Sequence, residues 1–221
     1  MGMKTRDLIL DTALKLFNKS GLDNVSLRQI ARQAGLSQSN VTYHFKHPYD
    51  IFKELFAQFK EKIMGVFNGI EKKHINLLLY IHIISKASLV QQKYAFIMHN
   101  IIQMNQYDSE FKKNVYKFID NIYSKINFIF IQLEKKSIIS KSIHDKKGTL
   151  LSLRWLVLWK YSLSHKSIIA KDDYTFIFQI KNLCFVIYPL LSSKSKEAFD
   201  ILYQNYEPIF INEYRIQNEK T

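Results

Sequence analysis

Glycine and proline are scarce in this sequence, with six and three residues in a chain of 221. All-β folds need a turn about every 8–12 residues, and glycine and proline build many of those turns. Hydrophobic residues make up 47% of the chain, and long stretches rich in Leu, Ile, Phe, Lys and Glu run between the few breakers. The composition therefore predicts an all-α protein with enough apolar residues for a sizeable core.

Cysteine and long apolar runs are also nearly absent. Cys184 is the single cysteine, so no internal disulfide can form. The N-terminal residues lack the apolar core of a signal peptide, and no run of about 18 uncharged apolar residues occurs. The nearest run, "LLSLRWLVLWKYSL", is interrupted by Arg154 and Lys160. We therefore expect a cytoplasmic protein with no membrane partner.

Common catalytic motifs are missing from the chain. The sequence contains no glycine-rich phosphate loop, His-Glu-x-x-His helix, paired-cysteine motif or Gly-x-Ser-x-Gly elbow. His74, His82 and His99 do not have the i,i+4 spacing of helical metal ligands. The sequence therefore predicts a protein that is not an enzyme and that has neither a cofactor nor a metal site.

Acidic residues are outnumbered, and the formal net charge is +13 with a pI near 9.6. Such a balance fits nucleic acid or an anionic membrane surface as partner. The charge is not concentrated in one region, and a general bias toward lysine explains it equally well. Membrane binding would require a basic amphipathic helix with aromatic anchors, whereas Lys112-Lys113 and Lys135-Lys136 are too scattered.

The stretch "SLRQIARQAGLSQSNVTYHF" has the pattern of two short helices joined by a tight turn. Ser26 and Gln29 have capping-box spacing at the start of the first helix. Gly35 permits the left-handed turn after it, and Ser37 is placed to cap the next helix. The buried face of the first helix consists of Leu27, Ile30, Ala31 and Ala34. This arrangement predicts a helix-turn-helix.

The outer face of the second short helix carries small polar and aromatic residues, while Val41 and Phe45 anchor it inward. Glutamine and asparagine can bridge two atoms of adenine in the major groove, and helix N-termini suit phosphates. The alternative is a solvated polar face with ordinary caps. The predicted DNA-binding residues are Ser26, Arg28, Ser37, Gln38, Ser39, Asn40, Thr42, Tyr43, His44 and Lys46.

Residues 5–56 resemble the N-terminal domain of the tetracycline-repressor (TetR) family. The resemblance rests on Ile9, Ala13, Leu16-Phe17, Gly21, Ser26-Leu27, Ile30-Ala31, Ala34-Gly35-Leu36-Ser37 and His44-Phe45. It implies a three-helix DNA-binding head over residues 1–48. It also implies a divergent helical body over residues 49–221 that dimerises and holds an inducer pocket.

Two positions depart from the family pattern. Val41-Thr42 stands where the family usually has Leu-Tyr, and Pro48 stands where a lysine is common. In the family both missing side chains contact phosphates, so Tyr43, Lys46 and His47 are the candidate substitutes here. These departures keep an alternative open: a helical regulator that has lost specific DNA binding and acts as a small-molecule or protein-partner module.

The last two predicted helices carry apolar stripes that suit a four-helix bundle between two copies of the chain. The alternative is that both stripes pack inside one subunit. The predicted dimer-interface residues are Phe176, Ile180, Leu183, Ile187, Phe199, Leu202, Tyr203 and Tyr206.

Soft and flat side chains in the body are candidates for an effector pocket, although such residues are more often simply core. The candidates are His82, Met98, His99, Met104, Phe128, Trp155 and Trp159. Together these features predict a ligand-responsive transcriptional regulator, a repressor as is usual in this family. We expect a homodimer that binds a near-palindromic site on double-stranded DNA, with an unknown hydrophobic small molecule as effector.

Overall fold

Ten α-helices are present in the computed structural model of this chain, which describes residues 4–104, 108–141, 150–161 and 172–219. They are α1 (Thr5–Ser20), α2 (Leu27–Ala34), α3 (Gln38–His44), α4 (Pro48–Val66), α5 (Leu77–Lys93), α6 (Ala95–Met104), α7 (Ser109–Lys135), α8 (Leu150–Tyr161), α9 (Asp172–Phe185) and α10 (Ser193–Glu219). Within those ranges the only β pairing is an isolated bridge between Ile139 and Leu191. The predicted all-α fold is confirmed.

Helix α2 packs on α1 and on α3, and α1 also packs on α4. Helix α1 buries one side of its length because its apolar residues recur at helical spacing. Its fully buried members, Ile9, Ala13 and Phe17, lie in the same core as Ile30 of α2 and Val41 of α3. Helices α2 and α3 have eight and seven residues, too few to be stable alone, so this packing must hold them.

Helix α5 is the central element of the body and contacts α4, α6, α9 and α10. The near-continuous apolar sequence "LLLYIHII" provides buried side chains on several sides of the helix. The Tyr80 hydroxyl donates a hydrogen bond of 2.6 Å to the Leu183 carbonyl of α9. Nearby, Phe59 of α4 stacks on Trp159 of α8, with ring centroids 6.3 Å apart.

Capping residues decide where the body helices begin. Asp108 accepts hydrogen bonds from the backbone N–H groups of Glu110 and Phe111 and so caps the start of α7. Helix α5 begins after Asn76, whose side chain accepts from the Leu79 N–H at 2.8 Å.

The stripes assigned to the dimer interface are mostly covered within one protomer, which corrects that assignment. Phe176 stacks on Tyr214 with ring centroids 4.3 Å apart, and Phe199 packs edge-on against Phe185 at 5.1 Å. Five of the stripe residues are at most 1% exposed and a sixth is 5% exposed: Phe176, Ile180, Leu183, Ile187, Phe199 and Tyr203. A side chain without exposed surface has none to offer a second copy. Leu202 and Tyr206 remain half-buried.

Within the described ranges, the helices lack the combination of length and hydropathy that crossing a bilayer requires.

Candidate nucleic-acid interface

Helix α2 begins and ends as its sequence predicts. The Ser26 hydroxyl accepts from the Gln29 N–H at 3.3 Å, and the Gln29 side chain accepts from the Ser26 N–H at 2.7 Å. This capping box satisfies two backbone donors at the start of the helix. At the other end Gly35 adopts φ 66°, a left-handed conformation that glycine tolerates best, and Leu36 N–H donates to the Ala31 carbonyl.

Helix α3 is held from behind by apolar contacts and capped at its start. The Ser37 hydroxyl accepts from the Asn40 N–H at 3.2 Å. Val41 is completely buried and Phe45 is 4% exposed, so the two predicted anchors do reach the core. The turn and the anchors fix the direction in which the opposite face of α3 points, and that face is open to solvent.

The outward ridge of α3 carries uncharged donors and acceptors. Gln38, Ser39 and Asn40 are exposed, and Tyr43 is 81% exposed, the most exposed of the large apolar side chains described. The His44 ring lies half-buried against Tyr43, with centroids 5.2 Å apart and the rings nearly perpendicular. A ridge of this chemistry and width can enter a major groove of DNA.

Thr42 is less available than predicted. It is half-buried, and its hydroxyl lies 3.0 Å from the Gln38 carbonyl and 3.1 Å from the Ser39 carbonyl, to which it donates within its own helix. Back-bonding of this kind is common for threonine in helices. The hydroxyl therefore retains only acceptor capacity toward a partner outside the helix.

Cationic side chains flank the ridge. Arg28 and Lys46 are exposed, as a contact with DNA requires. A depression of about 380 Å³ lies between α2 and α3, lined by Arg28, Gln29, Ala31, Arg32, Leu36 and Gln38. Arg32 was absent from the sequence-based prediction. The sequence does contain a signal for Arg32: it lies four residues after Arg28, and residues at that spacing share a helix face.

The first turn of α4 is built around Pro48, where the family commonly has lysine. Proline fits the first helical position because it lacks only an N–H that would be unsatisfied there. The Asp50 carboxylate accepts from the His47 N–H at 2.9 Å and so satisfies one backbone donor at the start of the helix. This end of α4 therefore supplies no lysine to a phosphate, and Lys46 is the nearest cationic side chain in sequence.

Arg6 ties the head together across three helices. Its Nη1 donates to Oε1 of Glu54 at 2.9 Å, and its guanidinium lies 5.2 Å from the centre of the Phe45 ring. The hydrogen bond from Arg6 lowers the pKa of the Glu54 carboxyl below its ordinary value. The same residue thus links α1 to α4 and to the end of α3.

A second contact ties the start of α4 to the body. The Tyr49 hydroxyl lies 3.4 Å from Oδ2 of Asp108, the cap of α7, and the Tyr49 ring packs edge-on against Phe111 at 6.1 Å. Burial, followed by the charge of Asp108, raises the pKa of Tyr49 to about 12. Helix α4 therefore contacts the body through Tyr49 in its first turn and the head through Glu54 in its second.

The residues predicted to line an effector pocket do not converge on one cavity. Trp155 and Trp159 are buried and stack on each other with centroids 6.0 Å apart, so both belong to the core. Met98 is also buried, His82 and His99 are exposed, and Phe128 is half-buried. The side chain of Met104 lies outside the described residues. His82 alone of this set lines the groove beside α5 that is described below.

The geometry of the head has a counterpart among known proteins. Residues 9–55 match the model of bacterial regulatory proteins of the tetR family. The head of this chain is similar to the N-terminal domain of that family. The matched segment covers α2 and α3 in full and most of α1, so it includes the whole exposed ridge.

Two relatives of this chain match it over segments of different length. The transcriptional regulator AcrR of Shigella flexneri is 42% identical over 53 residues, which is 24% of this chain and 25% of AcrR. The negative regulator of the icaADBC biofilm operon, IcaR of Staphylococcus aureus, is 25% identical over 170 residues, or 73% of this chain and 86% of IcaR.

The fold of the body is shared with a solved TetR-family regulator from Marinobacter aquaeolei VT8. The two structures superpose with a TM-score of 0.83 over 92% of this chain and 99% of the other, at 24% sequence identity. At that identity the match establishes the fold.

Proposed function

We propose that this protein is a dimeric transcriptional regulator that places α3 in the major groove of a near-palindromic operator. The observation that supports this most directly is the uncharged ridge of Gln38, Asn40 and Tyr43, exposed on one side of a helix that Val41 and Phe45 fix from the other. Asn40 contacts Ser37, and Tyr43 contacts His44, so both of these partners belong to the head. The exposed side of the ridge therefore leaves room for a duplex to approach.

Backbone contacts would come from two kinds of group. The N-termini of α2 and α3 present backbone N–H groups and a positive partial charge toward phosphates. Arg28, Arg32 and Lys46 add full charges around the ridge. These contacts fix the position of the protein on DNA without reading sequence, while the side chains of α3 read base edges.

A dimer supplies the second recognition helix that a near-palindromic site needs. Exposed apolar residues mark two candidate surfaces: Leu153, Val157, Leu158 and Tyr161 on α8, and Ile201, Ile209 and Ile216 on α10. Both helices contact α9. Contiguous apolar residues left exposed on one protomer are typical of interaction surfaces. These surfaces replace the buried stripes as the proposed interface.

We also propose that the protein represses transcription and responds to a small molecule. IcaR is a negative regulator by name, and this chain covers most of its length. A ligand that binds more tightly to one position of α4 would shift the free energy of DNA binding. That shift can be no larger than the difference in the ligand's binding free energy between the two positions. No observation favours the alternative of a regulator without specific DNA binding.

Selection of binding sites from a random duplex library, at two salt concentrations, tests the proposal. We expect enrichment of a near-palindrome whose half-sites lie one DNA turn apart, about 34–36 Å. Affinity should fall steeply as salt rises, because phosphate contacts release counterions. Salt-dependent binding without any sequence enrichment would indicate a protein that binds DNA through its positive charge alone. An absence of binding would favour the alternative, a regulator that has lost specific DNA binding.

A further inference from the structure

A groove of about 680 Å³ runs along α5, on the side of the body that includes the C-terminal end of α4. Its floor is a single stripe of α5 that contains Leu79, Ile83 and Val90. Gly65 and Val66 of α4 form one wall, and Gln217 of α10 closes one end, where its amide donates to the Leu89 carbonyl at 3.1 Å. This volume is typical of small-molecule sites.

The rim of the groove is cationic. Lys62, Lys73, Lys86 and Lys93 all line it, and none of its thirteen lining residues is acidic. Among the described residues, Lys86 pairs with Glu213 at 2.5 Å, while no ion pair with Lys62, Lys73 or Lys93 is present. Asp7, Asp11 and Glu61 line a separate depression that Lys62 and Lys93 share, so the charge of Lys73 is the least compensated.

The electrostatics at the floor agree with this arrangement. Desolvation, followed by the charges of Lys86 and, more weakly, Lys73, lowers the pKa of His82, while Glu213 acts in the opposite direction. The pKa of His82 therefore lies below its ordinary value. A neutral imidazole adds a donor and an acceptor beside the apolar floor without changing the cationic character of the rim.

We infer that this groove binds an amphipathic organic anion, whose apolar body lies on the α5 stripe and whose carboxylate reaches the lysine rim. An apolar floor alone would accept any hydrophobic molecule, and lysines alone would accept any anion, so their combination selects molecules that carry both features. The inference adds a ligand class to the proposed function. If that function holds, the occupant touches α4, the helix whose Glu54 pairs with Arg6 of the head.

Gly65 provides a direct way to test the location. It lies in the last turn of α4, and a Cβ built on it has no neighbouring atom within 4 Å. A leucine at this position would enter the groove instead of the core, and it would also favour the helix more than glycine does. Gly65→Leu is therefore expected to fill the site without unfolding the protein. Ala57→Leu, on the exposed face of the same helix and outside the groove, is the matched control.

The experiment measures binding of decanoate, kept monomeric, to the full chain by isothermal titration calorimetry, with decanol and decyltrimethylammonium as matched ligands. We expect saturable binding of decanoate at one site per chain and at least tenfold weaker binding of both matched ligands. Gly65→Leu should abolish binding. The double variant Lys73→Gln and Lys93→Gln should bind decanoate at least tenfold more weakly. Lys117→Gln, at an exposed position of α7, should leave decanoate binding unchanged.

Several outcomes would overturn the inference: no saturable binding of decanoate, equal binding of decanol, or unchanged affinity in the double lysine variant. Retained affinity in a folded Gly65→Leu protein would also overturn it. If thermal melting shows that Gly65→Leu is unfolded, the lysine variants decide the result alone. Binding to anionic vesicles that decanoate does not displace would point to a membrane lipid and would contradict a free ligand. No DNA is present in the titration, so its failure leaves the operator selection unaffected.

Discussion

The guanidinium of Arg6 lies over the ring of Phe45, 5.2 Å from its centre, while the same group donates to Glu54 at 2.9 Å. Phe45 directly follows α3 as its C-cap, and Glu54 lies in α4. One side chain of α1 therefore contacts both the DNA-facing unit and the helix that leads into the body. This contact makes the angle between α3 and α4 a property of the folded head, not of the linker between them.

The Arg6–Glu54 pair should make stability depend on pH in a defined window. Because the folded pKa of Glu54 is lowered, its contribution is fully present above the ordinary carboxyl pKa of 4.5 and is lost as pH falls through the lowered value. Both side chains are more than a third exposed, so we expect the pair to contribute at most about 1 kcal/mol to the free energy of unfolding. Urea unfolding of the wild type and Glu54→Gln at pH 7 and at pH 3 measures the difference. A difference that does not shrink at low pH would contradict this role.

Tyr43→Ala should weaken operator binding without affecting the fold. The side chain is 81% exposed, so the free energy of unfolding should change by no more than about 0.5 kcal/mol. Loss of one hydrogen bond to DNA should cost about 1 kcal/mol, or roughly fivefold in affinity. Filter binding measures the affinity, and Tyr116→Ala, an exposed tyrosine on α7, is the control. Equal affinities for wild type and Tyr43→Ala would remove Tyr43 from the interface.

Lys46→Gln should reduce affinity for all duplexes by a similar factor. A lysine on a phosphate carries no sequence information, and its removal should lower the slope of log affinity against log salt by about 1. Titrations at four salt concentrations, with Lys117→Gln as control, give the slopes. If the slope is unchanged while sequence preference shifts, Lys46 contacts a base and not the backbone.

Charges on the exposed apolar stripes should separate the protomers. Val157 and Ile209 are each 49% exposed, so Val157→Lys and Ile209→Lys can fold and still disrupt an interface. Sedimentation equilibrium should show monomers for at least one of the two variants and dimers for Tyr116→Lys. Leu183→Glu, by contrast, buries an unpaired charge in the core and should unfold the protomer. Dimers in both stripe variants would exclude these surfaces.

Local signals in the sequence were enough to predict the head. Ser26 and Gln29 lie within one turn of each other, and Gly35 needs only its own backbone angle, so each feature is determined by residues close in sequence. The exposed ridge follows because Val41 and Phe45 fix the opposite face. Thr42 shows the limit of this reasoning. Its hydroxyl donates to carbonyl groups within its own helix, and the residue type alone does not indicate that contact.

Long-range packing explains why the body was harder to predict. Apolar spacing around Phe176 and Leu183 indicates burial, but it does not say whether the covering surface belongs to the same chain. Trp155 and Trp159 looked suitable for a pocket and instead stack inside the core. The lysine-rimmed groove was missed because Lys62 and Lys73 meet Lys86 only after α4 and α5 pack together.

The central claim is that side chains of α3 read bases, and site selection with Gln38→Ala tests it most directly. If Gln38 makes a bidentate contact, its removal should relax preference at one position in each half-site, symmetrically about the centre, by about 1–3 kcal/mol. Lys117→Gln, selected in parallel, should reproduce the wild-type site. Identical enriched sequences for the wild type and Gln38→Ala would contradict this contact and, with it, the proposed orientation of α3 in the groove.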